Sequence, residues 1–326
     1  MIVGLGALGC PAADLLVRSG VGRVSLIDRD VVELTNLQRQ TLYCEDDART
    51  GRPKAEAARR RLASVNSAVR VEALLTDLEA RTAEATLLDG AMGRPDVLLD
   101  CTDNYETRFL VNDLAVKHSV PLVYGGAVAS RGVSMTVRSP ETACLRCVFD
   151  PPESGNAETC DTVGVLGPVA AMIGAYQATE AIKLLLGRAD LTSGSLLSFD
   201  LWENQRSRVD LAGARDADCP CCGHRRFEFL DSSRSTRTVS LCGQGDVQIR
   251  PGDGSREVDL GVLVASLQNH GLFSVEQGSV RGELSAELGE DGGPLRLTVF
   301  SDGRAIVGGT TDPQRARSVY ARYVGG

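Results

Sequence analysis

Lysine is nearly absent from this chain. Among 326 residues only Lys54, Lys117 and Lys183 carry an ammonium group, and arginine supplies the rest of the 35 basic side chains. Blocks of like charge are missing too, which removes polybasic and acidic tails from consideration. With 43 acidic residues the formal net charge is −8, so no nucleic acid is expected as a partner. Histidine is scarce, and His118, His224 and His270 form no cluster and suggest no catalytic base. Long apolar runs are lacking as well. The most apolar stretch, 163–186, is broken by Gln177, Glu180 and Lys183, and reads as a buried helix with no role in a membrane. Met1-Ile2-Val3 runs straight into a glycine-rich turn, without a charged n-region or an apolar h-region. A cytoplasmic location is the expectation, and the ten cysteines then need reasons other than disulfides.

What is present points to two domains, since the length exceeds the usual single-domain range. The first two-thirds alternates short β-branched runs with helical stretches, the pattern of a Rossmann-like, doubly wound and mostly parallel α/β sheet. Strands are expected at 1–3, 24–28, 69–74, 96–103 and 121–125, and helices at 11–18, 53–65 and 105–118. The alternation over 132–138 predicts an exposed antiparallel strand. A long small-residue helix over 165–186 and strands at 196–200 and 207–211 follow. A polar linker begins at Asp231, which divides the chain into 1–231 and a small α+β domain over 232–326. In the latter we expect strands at 238–241 and 247–250, a helix over 260–270, further strands to 307, a hairpin turn at 301–303 and a final helix from 312.

Gly4-Leu-Gly6-Ala-Leu-Gly9 lies between a strand and a helix, where glycines let phosphates approach the backbone and the helix N-terminus. Asp28 ends the next strand, in place to hold ribose hydroxyls. These features alone fit a dinucleotide dehydrogenase equally well. The residues that follow favour chemistry at a triphosphate, which needs cations, a magnesium ligand and room for a nucleophile. Arg39 and Lys54 supply charge, Asn36 and Gln40 polar contacts, and Asp103 a carboxylate for magnesium. Cys144-Leu-Arg-Cys147 and Cys219-Pro-Cys-Cys222 form two knuckles separated by 71 residues. Together they make a closed, structural Cys₄ zinc site, with Cys221 the odd thiol out.

The run Asp28-Arg-Asp30-Val-Val-Glu33-Leu-Thr-Asn36-Leu-Gln-Arg39-Gln40, with Lys54 and Cys101-Thr-Asp103-Asn, closely resembles the ThiF/MoeB family of adenylyltransferases, over residues 1 to about 225. The resemblance implies that Asp28 binds the ATP ribose, that Asn36, Arg39, Gln40 and Lys54 contact phosphates, and that Asp103 holds magnesium. It also implies zinc on the four knuckle cysteines. The activity it implies is ATP-dependent adenylation of the C-terminal Gly-Gly carboxylate of a ubiquitin-like sulfur-carrier protein, for thiamine or molybdopterin biosynthesis. A homodimer and a cysteine desulfurase as sulfur donor belong to the same expectation. Cys160, in a loop ahead of the long helix, would join covalently to the carrier during sulfur transfer. Family members have a preceding helical segment whose arginine reaches the partner subunit's ATP; no residue of this chain is assigned that role. A non-catalytic carrier-binding homologue stays open as the alternative. Cys10, Cys44 and Cys101 read as packing residues, and Cys242 as structural, since it lacks a rhodanese's basic loop. The terminal Gly325-Gly326 follows a predicted helix and is read as coincidence.

Overall fold

A computed structural model of the chain describes residues 1–76, 78–89, 93–103, 105–150, 164–231, 239–241, 246–249, 258–290 and 292–312, together with 315–316, 319–320 and 323–324. Two compact units, Met1–Ser235 and Thr236–Gly326, divide it.

In the first unit the order is β1 (Ile2–Val3), α1 (Gly9–Arg18), β2 (Arg23–Asp28), α2 (Glu45–Arg49), α3 (Lys54–Val65), β3 (Arg70–Leu75), α4 (Ala80–Glu84) and β4 (Leu98–Asp100). Then come α5 (Tyr105–His118), β5 (Leu122–Val128), β6 (Arg131–Val137), α6 (Leu145–Val148), α7 (Gly167–Leu185), β7 (Ser195–Asp200) and β8 (Gln205–Asp210). One eight-stranded sheet has the order β3-β2-β1-β4-β5-β6-β7-β8. Pairing is parallel from β3 to β5 and antiparallel beyond.

Alternation along the parallel strands divides the core into two layers. Ile2, Leu26, Leu99 and Val123 pack with α1, α3 and α7, whereas Val3, Ile27, Leu98 and Leu122 pack with α4, α5 and the cysteine knuckles. Helices on both faces of a parallel sheet make the doubly wound architecture. Inside α7, the fully buried Gln177 donates through Nε2 to the carbonyls of Asp100 (2.6 Å) and Val123 (3.1 Å). An amide inside an apolar helix thus finds its partners on the backbone of two adjacent strands, β4 and β5. Among the described residues no helix is long and apolar enough to cross a membrane.

One expectation needs correction. The strand at 131–137 is antiparallel, as its pattern suggested, but it lies between β5 and β7 and is mostly buried. Its cover comes from α7, so close that a Cβ on Gly132 would meet Ile173 at 2.6 Å and Val169 at 2.9 Å. A helix more than thirty residues away in sequence covers the face that local alternation assigned to water. Shorter elements, α2, α4 and α6, also went unforeseen.

The second unit is an antiparallel sheet of β9 (Val239–Leu241), β10 (Asp246–Ile249), β11 (Gly271–Glu276), β12 (Ser279–Leu288), β13 (Pro294–Phe300) and β14 (Ala305–Gly308), with helix α8 (Leu260–Leu267). The strands run in the order β11-β12-β13-β14-β10-β9. Asp259 caps α8 through Oδ1, which accepts from the amides of Gly261 (2.9 Å) and Val262 (3.1 Å). Leu263 and Leu267 pack with Val280, Leu297, Val307 and Tyr320 in a core of their own. The hairpin at 301–303 closes with the Phe300 amide donating to the Arg304 carbonyl at 2.9 Å.

Candidate active site

Strand order reverses at β1, whose neighbours β2 and β4 feed helices on opposite faces, so their C-terminal ends leave a crevice. A cleft occupies it, lined by Gly4, Gly6, Asp28, Asp30, Arg39, Gln40, Lys54, Thr102 and Asp103. Seven of the residues singled out in the sequence therefore face one space.

The glycine turn is shaped by close approach. Gly4 has φ +91°, and a Cβ there would lie 2.7 Å from the Cys101 carbonyl oxygen. A Cβ on Gly9 would meet the Gly4 carbonyl oxygen at 2.0 Å. Gly6 differs, since its nearest neighbour would be Gln40 Nε2 at 3.8 Å. Packing does not exclude a side chain at Gly6; the space it leaves open belongs to the cleft. Gly6→Ala is therefore expected to fold with an unchanged melting temperature while losing nucleotide affinity in calorimetric titration. Gly9→Ala is expected to lower both.

Asp28 braces that turn. Its Oδ2 accepts from the Leu5 amide at 2.6 Å and its Oδ1 from the Asp30 amide at 2.8 Å. From the other side, the Tyr43 hydroxyl donates to the Leu5 carbonyl at 2.7 Å. Burial pushes the Asp28 carboxyl upward, and the nearby Lys54 charge opposes this. Lys54, at the start of α3, is also buried, and its Nζ donates to Asp30 Oδ2 at 3.0 Å. Burial alone would lower its pKa, but Asp30 and Asp28 outweigh that and raise it, so the ammonium stays charged. Sequence reading passed over Asp30, although the Asp-x-Asp spacing places it beside Asp28.

Gln40 is buried, and its Oε1 has no hydrogen-bond partner among the described residues. A buried amide oxygen left unpaired at the edge of a cleft suits a site that a polar ligand completes. Arg39 is half-exposed, with Nη1 donating to the Thr35 carbonyl at 3.0 Å. Asp103 is exposed at the cleft. An exposed carboxylate of this kind, joined by phosphate oxygens, would make the hard oxygen set magnesium prefers. Asn36 and Gly9 do not line the cleft. Asn36 is buried, and its Oδ1 accepts from the Glu33 amide at 3.1 Å, fixing the turn that precedes Arg39 and Gln40. Cys160 and Cys242 lie outside the described residues.

On the opposite layer, Cys144, Cys147, Cys219 and Cys222 bring their sulfurs within 4.8 Å of one another. Individual separations are 3.9 Å for Cys144–Cys147, 3.7 Å for Cys144–Cys219 and 3.4 Å for Cys147–Cys222. Zinc–sulfur bonds of about 2.3 Å at tetrahedral angles require sulfurs about 3.8 Å apart, so these four fit the ion closely. Cys221 is outside the set and its sulfur accepts from Asn112 Nδ2 at 3.3 Å. Asn112 Oδ1 accepts in turn from the Leu145 amide at 2.9 Å, so one side chain of α5 ties both knuckles together. Without a cation the crowded sulfurs resist ionisation: the neighbouring Cys144 thiol, then burial, push Cys147 up to about 12.

The sequence model of the ThiF family matches residues 1–221. A Bacillus subtilis protein named sulfur carrier protein ThiS adenylyltransferase is 41% identical over 325 residues, covering 100% of this chain and 92% of its own length. The SAMP-activating enzyme E1 of Haloferax volcanii is 39% identical over 232 residues, 71% of this chain and 82% of that protein. A crystal structure of Escherichia coli MccB with ATP superposes with a TM-score of 0.57 at 24% identity, over 68% of this chain and 65% of that one, a likeness of fold. A glycine turn, buried acid and lysine at one switch point, a four-cysteine cluster, and similarity over all of this chain and 92% of the Bacillus protein agree: this chain belongs to the ThiF family.

Proposed function

We propose that the protein uses ATP to adenylate the C-terminal glycine carboxylate of a ubiquitin-like sulfur-carrier protein of the ThiS or MoaD kind, serving thiamine or molybdopterin biosynthesis. The observation that carries this reading is the shared cleft, where a glycine turn, the buried Asp28, the cationic Arg39 and Lys54 and the exposed carboxylate of Asp103 line the same space. The names of the Bacillus and Haloferax relatives, an adenylyltransferase and an activating enzyme, support it.

In this proposal Asp28 accepts the ribose hydroxyls, and amides of the glycine turn meet the phosphates. A carboxylate oxygen of the carrier bonds to the α-phosphorus as the bond to the bridging oxygen breaks, and pyrophosphate departs. Lys54 and Arg39 offset the charge that gathers on the phosphates, so positioning and electrostatics supply most of the rate. Asp103 would hold magnesium, which when bound neutralises phosphate charge. Zinc on the four cysteines would be structural, because no ligand position remains open. The terminal sulfur of a cysteine desulfurase persulfide then bonds to the acyl carbon as AMP departs. The Cys160 thiolate attacks that sulfur and releases the desulfurase thiol, and a thiol reductant cleaves the resulting acyl disulfide to the carrier thiocarboxylate. A homodimer belongs to the same proposal, as does a cytoplasmic location, which the eight free thiols among the described residues favour. Residues 1–231 would carry all of this chemistry.

ATP–pyrophosphate exchange in the presence of purified candidate carriers is the test. Exchange that requires both magnesium and a carrier ending in Gly-Gly is expected. Tight NAD binding with no ATP binding would place the protein among oxidoreductases, and carrier binding without exchange would make it a non-catalytic homologue.

A further inference from the structure

The segment that delivers Asp103 to the cleft, residues 101–103, leaves β4 without regular secondary structure. Something else must fix it, and the network around Arg108 does so. Asp100, fully buried at the end of β4, accepts at Oδ1 from both the amide (3.0 Å) and the hydroxyl (2.6 Å) of Thr102. Arg108, one turn into α5, donates through Nη2 to the Thr102 carbonyl at 3.1 Å. That carbonyl belongs to the peptide unit that joins Thr102 to Asp103. Both peptide planes flanking Thr102 are therefore held, one by Asp100 and one by Arg108.

The guanidinium is itself immobilised. Its central carbon lies 4.9 Å from the centre of the Tyr105 ring and 5.0 Å from that of Tyr124. Its Nε lies 3.7 Å from Asp100 Oδ2, a charge pair in a buried setting. Two aromatic contacts, one carboxylate and one carbonyl leave it the character of a scaffold. Arg108 does not line the nucleotide cleft; it lines the neighbouring one, which shares Leu8, Thr102 and Asp103 with it.

We propose that Arg108 is a positioning residue: by anchoring the 102–103 peptide plane it aims the Asp103 carboxylate at the divalent cation that accompanies the nucleotide. This rests on Asp103 being a metal ligand, as read above. Partners that orient metal ligands are commonly worth about 10- to 100-fold in metal affinity.

The experiment is Mn²⁺ binding to the full-length protein with a non-hydrolysable ATP analogue, followed by electron paramagnetic resonance, with exchange activity measured alongside. Arg108→Met is expected to weaken Mn²⁺ binding about 10- to 100-fold. Arg108→Lys is expected to do nearly the same, because an ammonium provides neither the planar stack nor the fork. Thr102→Val removes only the hydroxyl bond to Asp100, lowers the melting temperature by a few degrees because a buried carboxylate loses one donor while the amide bond remains, and weakens Mn²⁺ in the same direction by less. Raising magnesium is expected to restore exchange in all three variants. Unchanged Mn²⁺ affinity in both Arg108→Met and Thr102→Val, where Asp103→Asn abolishes binding, overturns the proposal. A raised carrier KM with normal Mn²⁺ affinity would overturn it also, by making Arg108 a carrier contact. If Asp103→Asn itself binds Mn²⁺ normally, the reading of Asp103 fails first and the role of Arg108 with it.

Discussion

Cys147→Ser and Cys222→Ser are each expected to lose the metal and much of the stability of the first unit. The knuckles join α6, at 145–148, to the loop at 219–222, with no regular pairing between the two segments among the described residues. Zinc would therefore be a direct tie between them, added to the bridge through Asn112, and structural zinc carries apparent binding free energies on the order of 10 kcal/mol. Serine keeps the size of cysteine but not the thiolate the ion needs. Cys221→Ser should retain zinc and melt near wild type, since its sulfur accepts from Asn112 and a hydroxyl oxygen does the same. Acid should release the metal, because protons compete for thiols whose pKa values are raised when no cation offsets them. One zinc per chain by atomic emission, absent in the two serine variants and present in Cys221→Ser, is the expected pattern. A full complement of zinc in Cys222→Ser would defeat the assignment.

The other large effect concerns the cleft. Asp103→Ala should abolish pyrophosphate exchange while the protein stays folded, because an exposed carboxylate contributes little packing. Lys54→Ala should reduce exchange by about 10²- to 10³-fold, the usual cost (about 2.7–4 kcal/mol) of one preorganised electrostatic contact. Some loss of stability accompanies it, since Lys54 is buried and its removal leaves Asp30 and Asp28 facing each other. Cys160→Ala should leave exchange near wild type and impair formation of the carrier thiocarboxylate, because sulfur transfer follows adenylation. If Cys160→Ala blocks exchange as severely as Lys54→Ala, the proposed order of chemistry is wrong.

The residues that were legible in the sequence share a property: their meaning is local. Gly4, Gly6 and Gly9 announce a turn by spacing alone, and each C-x-x-C pair places two sulfurs on one knuckle. Asp28 and Lys54 could be named because strand ends and helix starts are marked by nearby residues. The Arg108 network was not legible, because its contacts with Asp100, Thr102 and Tyr124 bring a strand end, a loop, a helix and the next strand together. For Asn36 the resemblance implies a phosphate contact, and the structure adds a bond within the turn that no local pattern announced, its Oδ1 accepting from the Glu33 amide. Burial at 131–137 escaped for the same reason, since the cover comes from α7. Local pattern fixes what a residue is able to do; only the fold decides what it faces.

The central claim is that ATP and a carrier's terminal carboxylate meet in this cleft to form an acyl-adenylate. Intact-mass analysis of the carrier, after incubation with the protein, ATP, magnesium and pyrophosphatase, reads that product directly. The account predicts a carrier heavier by one AMP less one water, formed only when its Gly-Gly end is intact and not formed with Asp103→Ala. An unmodified carrier accompanied by ADP, or AMP attached to the enzyme itself, would contradict it.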